Sequence, residues 1–172
     1  MKLEDLEDLF ENLNIDSPTK EQLYHIYGIY LRDLVNSEVI YEGKKVIVNE
    51  TLVKNKREGY FLNKQKTFDH IVTRKSLLTN KRKFDKDRAN KIHWIKCIIE
   101  NSTNALIKKY EVIKDTKKSI ILWLQSKKYV VILREEEPNV LLVTGYCVDQ
   151  TEEARFNSEY KQYINKKTPL RK

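Results

Sequence analysis

The sequence predicts an α+β protein in which an N-terminal helical hairpin precedes a long helix that packs on a four-stranded antiparallel β-sheet. Three observations support this fold class. Apolar residues recur at helical spacing in residues 3–36 and again in residues 86–101, whereas residues 106–148 contain four apolar segments rich in β-branched residues. The chain has 172 residues, 40% of them hydrophobic, so it is long enough for about one domain with a core of its own.

The N-terminal hairpin rests on two amphipathic segments. In residues 3–13, leucines and Phe10 follow a three-four spacing with acidic residues between them, which predicts a short helix. Ser17 can cap a second helix that has Pro18 in its first position, and apolar residues at helical spacing extend that helix to about residue 36. Only a few residues separate the two predicted helices, so they are expected to form a hairpin.

A small β-hairpin and a long basic segment follow these helices. Residues 39–41 and 45–49 flank a turn that contains Gly43, which is typical of a β-hairpin. Residues 50–84 show no sustained period and are rich in Lys, Arg, Asn and Thr, so they are predicted to be mostly irregular, with a short helix near residues 75–78. Long irregular stretches in compact domains are often functional or mobile.

The predicted long helix spans residues 86–101 and has Asp85 or Asp87 as its N-cap. The side chains expected on its core face are Ala89, Ile92, Ile95 and Ile99.

Four strands and a last helix complete the predicted fold. The strands cover residues 106–113, 119–124, 129–133 and 140–148. The polar segments between them are short enough for hairpins, so an antiparallel meander is expected, with one face against the long helix. The last helix is predicted over residues 151–164.

Charge is distributed unevenly and divides the chain into three predicted parts. Residues 1–50, the acidic part with both hairpins, carry 5 basic and 11 acidic residues, whereas residues 51–96 carry 14 and 4. The core is predicted at residues 51–164 and a basic tail at residues 165–172. The net charge of +8 is thus concentrated in the middle of the chain, which favours nucleic acid as a partner. The acidic part is then either a packing layer or a guard that competes with nucleic acid for the basic surface.

Several other classes of protein and site find no support. The chain opens with acidic residues and has no run of about 18 apolar residues, which predicts a soluble, cytoplasmic protein without a membrane partner. Cys97 and Cys147 lack the spacing of a zinc site or a disulfide framework and are predicted to be buried thiols. None of the four glycines belongs to a phosphate-binding loop motif, and the acidic run at residues 135–137 is interpreted as a solvated turn. No metal and no cofactor are therefore expected.

Three segments in order carry a family resemblance. They are the sequence Phe68-Asp69-His70-Ile71, the predicted helix start Asp85-Lys86-Asp87-Arg88-Ala89, and the strand end Leu141-Leu142-Val143-Thr144-Gly145-Tyr146. Together they resemble the phage-associated branch of the BECR nuclease superfamily, which is named for barnase, EndoU, colicin and RelE-like ribonucleases. The resemblance covers about residues 60–150, and it departs from the family pattern at Gly145, where alanine is expected.

The resemblance implies a BECR-like fold and a metal-independent endoribonuclease that cleaves RNA by transesterification at the 2′-OH. It further implies a toxin or a phage or defence effector that acts on RNA, with tRNA as one such target, and that has an antitoxin or immunity protein as a partner. Cleavage of this kind needs a base for the 2′-OH proton, cations or donors around the phosphate, and an acid for the leaving oxygen.

Five residues are the candidates for this chemistry. His70 is the expected acid or base, because imidazole exchanges protons near neutral pH. Arg74 and Arg88 can clamp phosphate oxygens with their forked donors. Thr144 and Tyr146 are two positions apart on one strand, so their hydroxyls are expected on the same sheet face, where they can orient the substrate.

A second group of residues, Lys75, Lys81, Arg82 and Lys83, is expected to contact the nucleic-acid backbone. An alternative function remains open at this point: a non-catalytic nucleic-acid-binding or phage-particle accessory module. In that case His70 is a structural histidine, Arg88 pairs with Asp85, and Thr144 and Tyr146 are ordinary strand residues.

Overall fold

The computed structural model describes residues 2–114 and 116–167. In that part of the chain, five α-helices surround a six-stranded sheet and a separate two-stranded hairpin. The helices are α1 (Lys20–Tyr30), which continues as a π-helical turn (Leu31–Val35), α2 (Lys66–Val72), α3 (Lys86–Asn90), α4 (Trp94–Glu100) and α5 (Gln150–Lys167). The strands are β1 (Ile40–Tyr41), β2 (Lys44–Ile47), β3 (Thr73–Lys75), β4 (Arg82–Phe84), β5 (Ile107–Lys114), β6 (Lys117–Leu124), β7 (Tyr129–Glu136) and β8 (Asn139–Cys147).

The main sheet has six strands in the order β1-β2-β8-β7-β6-β5, so the prediction of a four-stranded sheet is wrong. The expected antiparallel meander is present as β5 to β8. The hairpin of β1 and β2 extends it because β2 pairs in parallel with β8, with Val46 opposite Val140. Both valines are buried, so this docking removes apolar surface from water.

The turn between β1 and β2 has two successive residues in the left-handed region, Glu42 at φ 47° and Gly43 at φ 81°. Two positive φ values match the backbone twist of a tight hairpin, and glycine adopts such a conformation without strain. The hairpin predicted at this position is confirmed.

The N-terminal helical hairpin is absent, because residues 3–13 form turns and bends rather than a helix. Asn90, which lies at the end of α3 and is buried, holds this segment instead. Its carbonyl accepts from the Leu9 N–H at 3.0 Å, and its side-chain amide exchanges hydrogen bonds with the backbone of Phe10 at 2.8 and 2.9 Å. These bonds replace the helical ones. Leu3 and Leu6 are buried in the core that also contains sheet residues, so residues 3–13 pack on that core. The role of the acidic part as a guard against nucleic acid stays a prediction.

The predicted long helix is two short helices, α3 and α4, separated by residues 91–93. The N-terminal segment contacts both sides of this break. Asn90 at the end of α3 bonds to it, and the indole N–H of Trp94 at the start of α4 donates to the Glu7 carbonyl at 2.9 Å. The expected core face is nonetheless correct, because Ala89, Ile92, Ile95 and Ile99 are all buried.

Residues 50–84 are more ordered than predicted. They contain α2 and the hairpin of β3 and β4, and the short helix expected near residues 75–78 is wrong because Lys75 ends β3 and residues 76–81 form its turn. α2 and α3 both pack against β8, the strand on which the predicted Thr144 and Tyr146 lie.

The two faces of the sheet carry separate apolar clusters. One face packs against α1, α2 and α4, and α4 approaches closely at Gly145, where a Cβ atom would lie 2.9 Å from Ile95 Cγ1. The other face packs against α5 through Phe156, which lies in one cluster with Trp123 and Val130.

The last helix was predicted within the observed bounds of α5, and it is confirmed. α5 takes up the first residues of the predicted basic tail, and residues 168–172 of that tail lie outside the described residues. Among the described helices, none combines the length and the apolar character that a membrane span requires.

Candidate functional site

Asp69 on α2 holds together the segments of the chain that carry the candidate site. Its carboxylate is 2% exposed and accepts from the backbone N–H groups of Tyr60 and Phe61 at 2.9 and 2.6 Å. Its second oxygen lies 3.7 Å from Nε of Arg82 on β4. A buried carboxylate with two backbone donors and a guanidinium is well compensated, so Asp69 fixes the loop, α2 and the β3–β4 hairpin relative to one another.

Three guanidinium groups, of Arg74, Arg82 and Arg88, gather beside α2; we call them the arginine cluster. Arg82 donates from Nη2 to the carbonyls of His70 and Thr73, both at 2.9 Å, and from Nε to the Thr73 hydroxyl at 2.6 Å. Arg88 donates from Nη1 to the same Thr73 carbonyl at 3.2 Å. The carbonyls at the end of α2, which lack helical partners, thus hold two of the three arginines in place.

Asp85 holds the third arginine and links it to the others. Its carboxylate caps α3 by accepting from the Arg88 N–H at 3.1 Å, as predicted for this residue. One of its oxygens lies 3.6 Å from Nε of Arg88 and 3.7 Å from Nε of Arg74. The three arginines therefore face two carboxylates, those of Asp69 and Asp85, which leaves the cluster positively charged.

His70 lies next to this cluster, near the end of α2, and its side chain is exposed. Partial desolvation, and then the positive charges of Arg82 and Arg88, lower the pKa of His70 to about 4. Solvent weakens both effects at an exposed side chain, but both act in the same direction and lower the pKa. The imidazole is therefore neutral at neutral pH, and a bound anion would raise its pKa.

Tyr146 connects the arginine cluster to the opposite face of the sheet. The guanidinium carbon of Arg88 lies 4.9 Å from the centre of the Tyr146 ring, which is a cation–π contact. β2 pairs only with Val140 and Leu141 of β8, so the edge of β8 near Tyr146 is open. Arg88 contacts the Tyr146 ring at this open edge. Burial, and then the charge of Glu152, raise the pKa of Tyr146 to about 12, so its hydroxyl keeps its proton at neutral pH.

Two cavities meet at β8, one on either side of this edge. The smaller, of about 230 Å³, is lined by His70, Lys66 and Arg134, with Val143 as part of its wall. The larger, of about 630 Å³, lies over the sheet face that carries α5 and is lined by Tyr146, among others. Arg134 and Val143 line both cavities, so the two are adjacent.

Thr144 and Tyr146 lie on the same sheet face, as predicted, and both line the larger cavity. A register shift between Ile132 and Leu133 puts them there, because it leaves Val143 without a partner on β7 and places Thr144 opposite Ile132. Thr144 consequently does not line the cavity of His70, unlike the arrangement expected for a group that orients the reacting phosphate.

The remaining predicted contacts lie on the β3–β4 hairpin. Lys75, Lys81 and Lys83 are exposed there and remain candidates for backbone contacts with nucleic acid. At the tip, the side chains of Leu77 and Leu78 are almost fully exposed. Arg82 differs from these lysines, because its Nε and Nη2 donors are engaged by backbone and side-chain oxygens within the protein.

Three further residues contribute to the site and were not among the predicted ones: Asp69, Asp85 and Arg134. Asp69 and Asp85 lie inside the segments that carried the family resemblance, and Asp85 was predicted as a helix cap and, under the alternative function, as the partner of Arg88. No sequence pattern points to Arg134, because only the pairing of β7 with β8 brings this side chain to the site.

Comparisons with protein-family models, with curated proteins and with solved structures found no match. Among the described residues, no group of three or more His, Cys, Asp or Glu side chains is placed to hold a metal ion.

Proposed function

We propose that the protein binds RNA at the arginine cluster and cleaves it without a metal ion, by attack of a ribose 2′-OH on the adjacent phosphorus. One observation carries this proposal: Arg88 links the other two groups at the open edge of β8, because it acts on His70 electrostatically and makes a cation–π contact with Tyr146. Imidazole, guanidinium and phenol are respectively a base, a phosphate-binding cation and a proton donor, which are the groups that this reaction needs.

The roles follow from the charge state of each group. His70 is neutral at neutral pH and so accepts the 2′-OH proton rather than supplying one. Arg88 has Nη1 on the Thr73 carbonyl and Nε beside the Asp85 carboxylate, so its Nη2 can bind the phosphate. Tyr146 holds its proton, and in this proposal it exchanges its hydrogen bond with Glu152 for donation to the leaving 5′ oxygen. A base with a pKa of about 4 is weak, but the arriving phosphodiester anion raises that pKa and strengthens the base.

The surrounding surface supports a polyanionic substrate. Residues 51–96 supply 14 basic and 4 acidic residues, and the exposed lysines of the β3–β4 hairpin extend the positive charge away from the arginine cluster. Contacts of this type supply affinity without sequence information, and they weaken as salt displaces them. Binding of single-stranded RNA should therefore fall steeply with added salt.

A second function, binding of nucleic acid without cleavage, is favoured by one observation. A histidine with a pKa near 4 lies far from the value near 7 that suits a general acid or base. The same basic surface would then serve an accessory module. In either case we place the protein in the cytoplasm, where RNA is at hand and the thiols of Cys97 and Cys147 stay reduced. A toxin or defence role with an antitoxin partner is proposed on the family resemblance alone.

Incubation of the purified protein with total RNA in EDTA tests cleavage. We expect products that end in 2′,3′-cyclic phosphate, and a loss of roughly 100-fold or more in rate for His70→Ala and for Arg88→Ala. His25→Ala and Arg57→Ala are matched controls, because both side chains are exposed and lie outside the site. Intact RNA, or cleavage that His70→Ala leaves unchanged, would refute the proposed mechanism; intact RNA with salt-sensitive binding would establish the accessory module instead.

A further inference from the structure

The larger cavity, over the sheet face that carries α5, has the character of a ligand site. Its volume of about 630 Å³ falls within the range of small-molecule pockets. Ile121 and Ile132 form part of an apolar floor, and the rings of Phe156 and Tyr146 form part of its walls. Lys117 and Arg134 line the same cavity and both pair with Glu136, and Arg155 and Glu159 line it as well. Apolar surface beside charged groups of both signs suits a flat, partly apolar ligand with polar groups on its edge.

Thr144 brings to the wall of the cavity a hydroxyl group that can form a hydrogen bond with a ligand. Its side chain is 7% exposed, and none of the described residues offers its Oγ1 a hydrogen-bond partner. Buried hydroxyl groups are normally paired, so an unpaired one in the wall of a cavity points to a partner that comes from outside the chain. A hydroxyl both donates and accepts, and it can therefore meet either kind of polar group on the edge of a ligand.

The cavity also adjoins the proposed phosphate site. The Tyr146 ring lines the cavity and makes the cation–π contact with Arg88, and Arg134 lines both this cavity and that of His70. A ligand held here would therefore adjoin a phosphate bound at the arginine cluster.

We propose that this cavity takes the base of the nucleotide next to the phosphate at the arginine cluster, and that Thr144 reads the edge of that base. The inference rests on the proposed binding of RNA and gives it a substrate class: single-stranded RNA with one base unstacked. Aromatic side chains bind unstacked bases through their faces, and hydrogen bonds to the base edge distinguish one base from another. Tyr146 and Thr144 supply one group of each kind.

The test uses four single-stranded DNA tetranucleotides, each of a single base, because they lack the 2′-OH and cannot be cleaved by the proposed chemistry. Fluorescence anisotropy gives the Kd of each in EDTA. We expect the full-length protein to prefer one base by roughly 5-fold, the size that one net hydrogen bond gives. Thr144→Val should reduce this preference below 2-fold, and Thr144→Ser should keep it. Thr151→Val, at an exposed position on α5, is the control.

Each outcome separates this inference from the proposed function. Equal binding of all four tetranucleotides, or a preference that survives Thr144→Val, would overturn the base pocket even if RNA is cleaved. A Thr144-dependent preference without RNA cleavage would retain the base pocket and remove the ribonuclease. Failure to bind any tetranucleotide would overturn the base pocket, and the cleavage of total RNA would then decide the proposed function by itself.

Discussion

Replacing Gly145 with alanine places a methyl group where α4 packs on β8. The new Cβ would lie 2.9 and 3.0 Å from two carbons of Ile95 and 3.0 Å from the Tyr129 hydroxyl, against 3.4–4 Å for ordinary contact. Ile95 and Tyr129 are both fully buried and cannot swing away, so about 0.5 Å of overlap must be relieved by moving α4. Overpacking of this kind costs about 1–3 kcal/mol, and the two-sided contact places this substitution near 2 kcal/mol.

Urea unfolding followed by tryptophan fluorescence measures the effect. With a slope of about 2 kcal/mol per M, a loss of that size lowers the midpoint by about 1 M. Gly28→Ala is the matched control, because no atom lies near its added methyl group and Gly28 lies within α1. It should stabilise the protein by about 0.5–1 kcal/mol through helix propensity. A Gly145→Ala variant as stable as the wild type would refute the close packing of α4 on β8.

Three further predictions concern stability. Thr144→Val removes a buried hydroxyl without a partner among the described residues, so it should raise the unfolding free energy by about 1 kcal/mol in urea. Asp69→Ala leaves a buried and a part-buried N–H group unpaired and Arg82 without its carboxylate, so it should lower that free energy by about 3 kcal/mol. Burial lowers the pKa of His93, so the unfolded chain binds the proton more readily; stability should fall as the pH drops below about 6.5, and less steeply in His93→Gln.

The elements that the sequence predicted correctly are those whose pattern is local. The strands β5 to β8, the helix α1 with its extension and the helix α5 all have apolar periods that match their burial. The errors arise where distant residues decide the backbone. Asn90 forms hydrogen bonds with the backbone of residues 9 and 10 in place of helical ones. No pattern within residues 3–13 predicts that Asn90 is their partner. The parallel pairing of β2 with β8 joins segments about 90 positions apart. The periodicity of apolar residues within either segment does not predict such a contact.

The candidate site was predictable in its residue types and less so in its arrangement. His70, Arg74 and Arg88 came from a basic segment with a histidine, and the structure brings them together. That segment was expected to be irregular, however, and the supporting carboxylates of Asp69 and Asp85 depend on the fold of α2 and α3. Thr144 is separated from His70 because of the register shift at Val143. The alternation of apolar and polar residues along β8 does not predict this shift.

The binding of a phosphodiester against the arginine cluster beside His70 is the central claim, and an NMR titration of the His70 ring tests it most directly. In the free protein the midpoint should lie well below the ordinary histidine value of about 6.5. Saturation with a single-stranded DNA oligonucleotide, which cannot be cleaved through a 2′-OH, should move that midpoint upward by at least about 1 pH unit, because a bound anion offsets the charges of Arg82 and Arg88. A midpoint and ring shifts that do not change on saturation would contradict the claim.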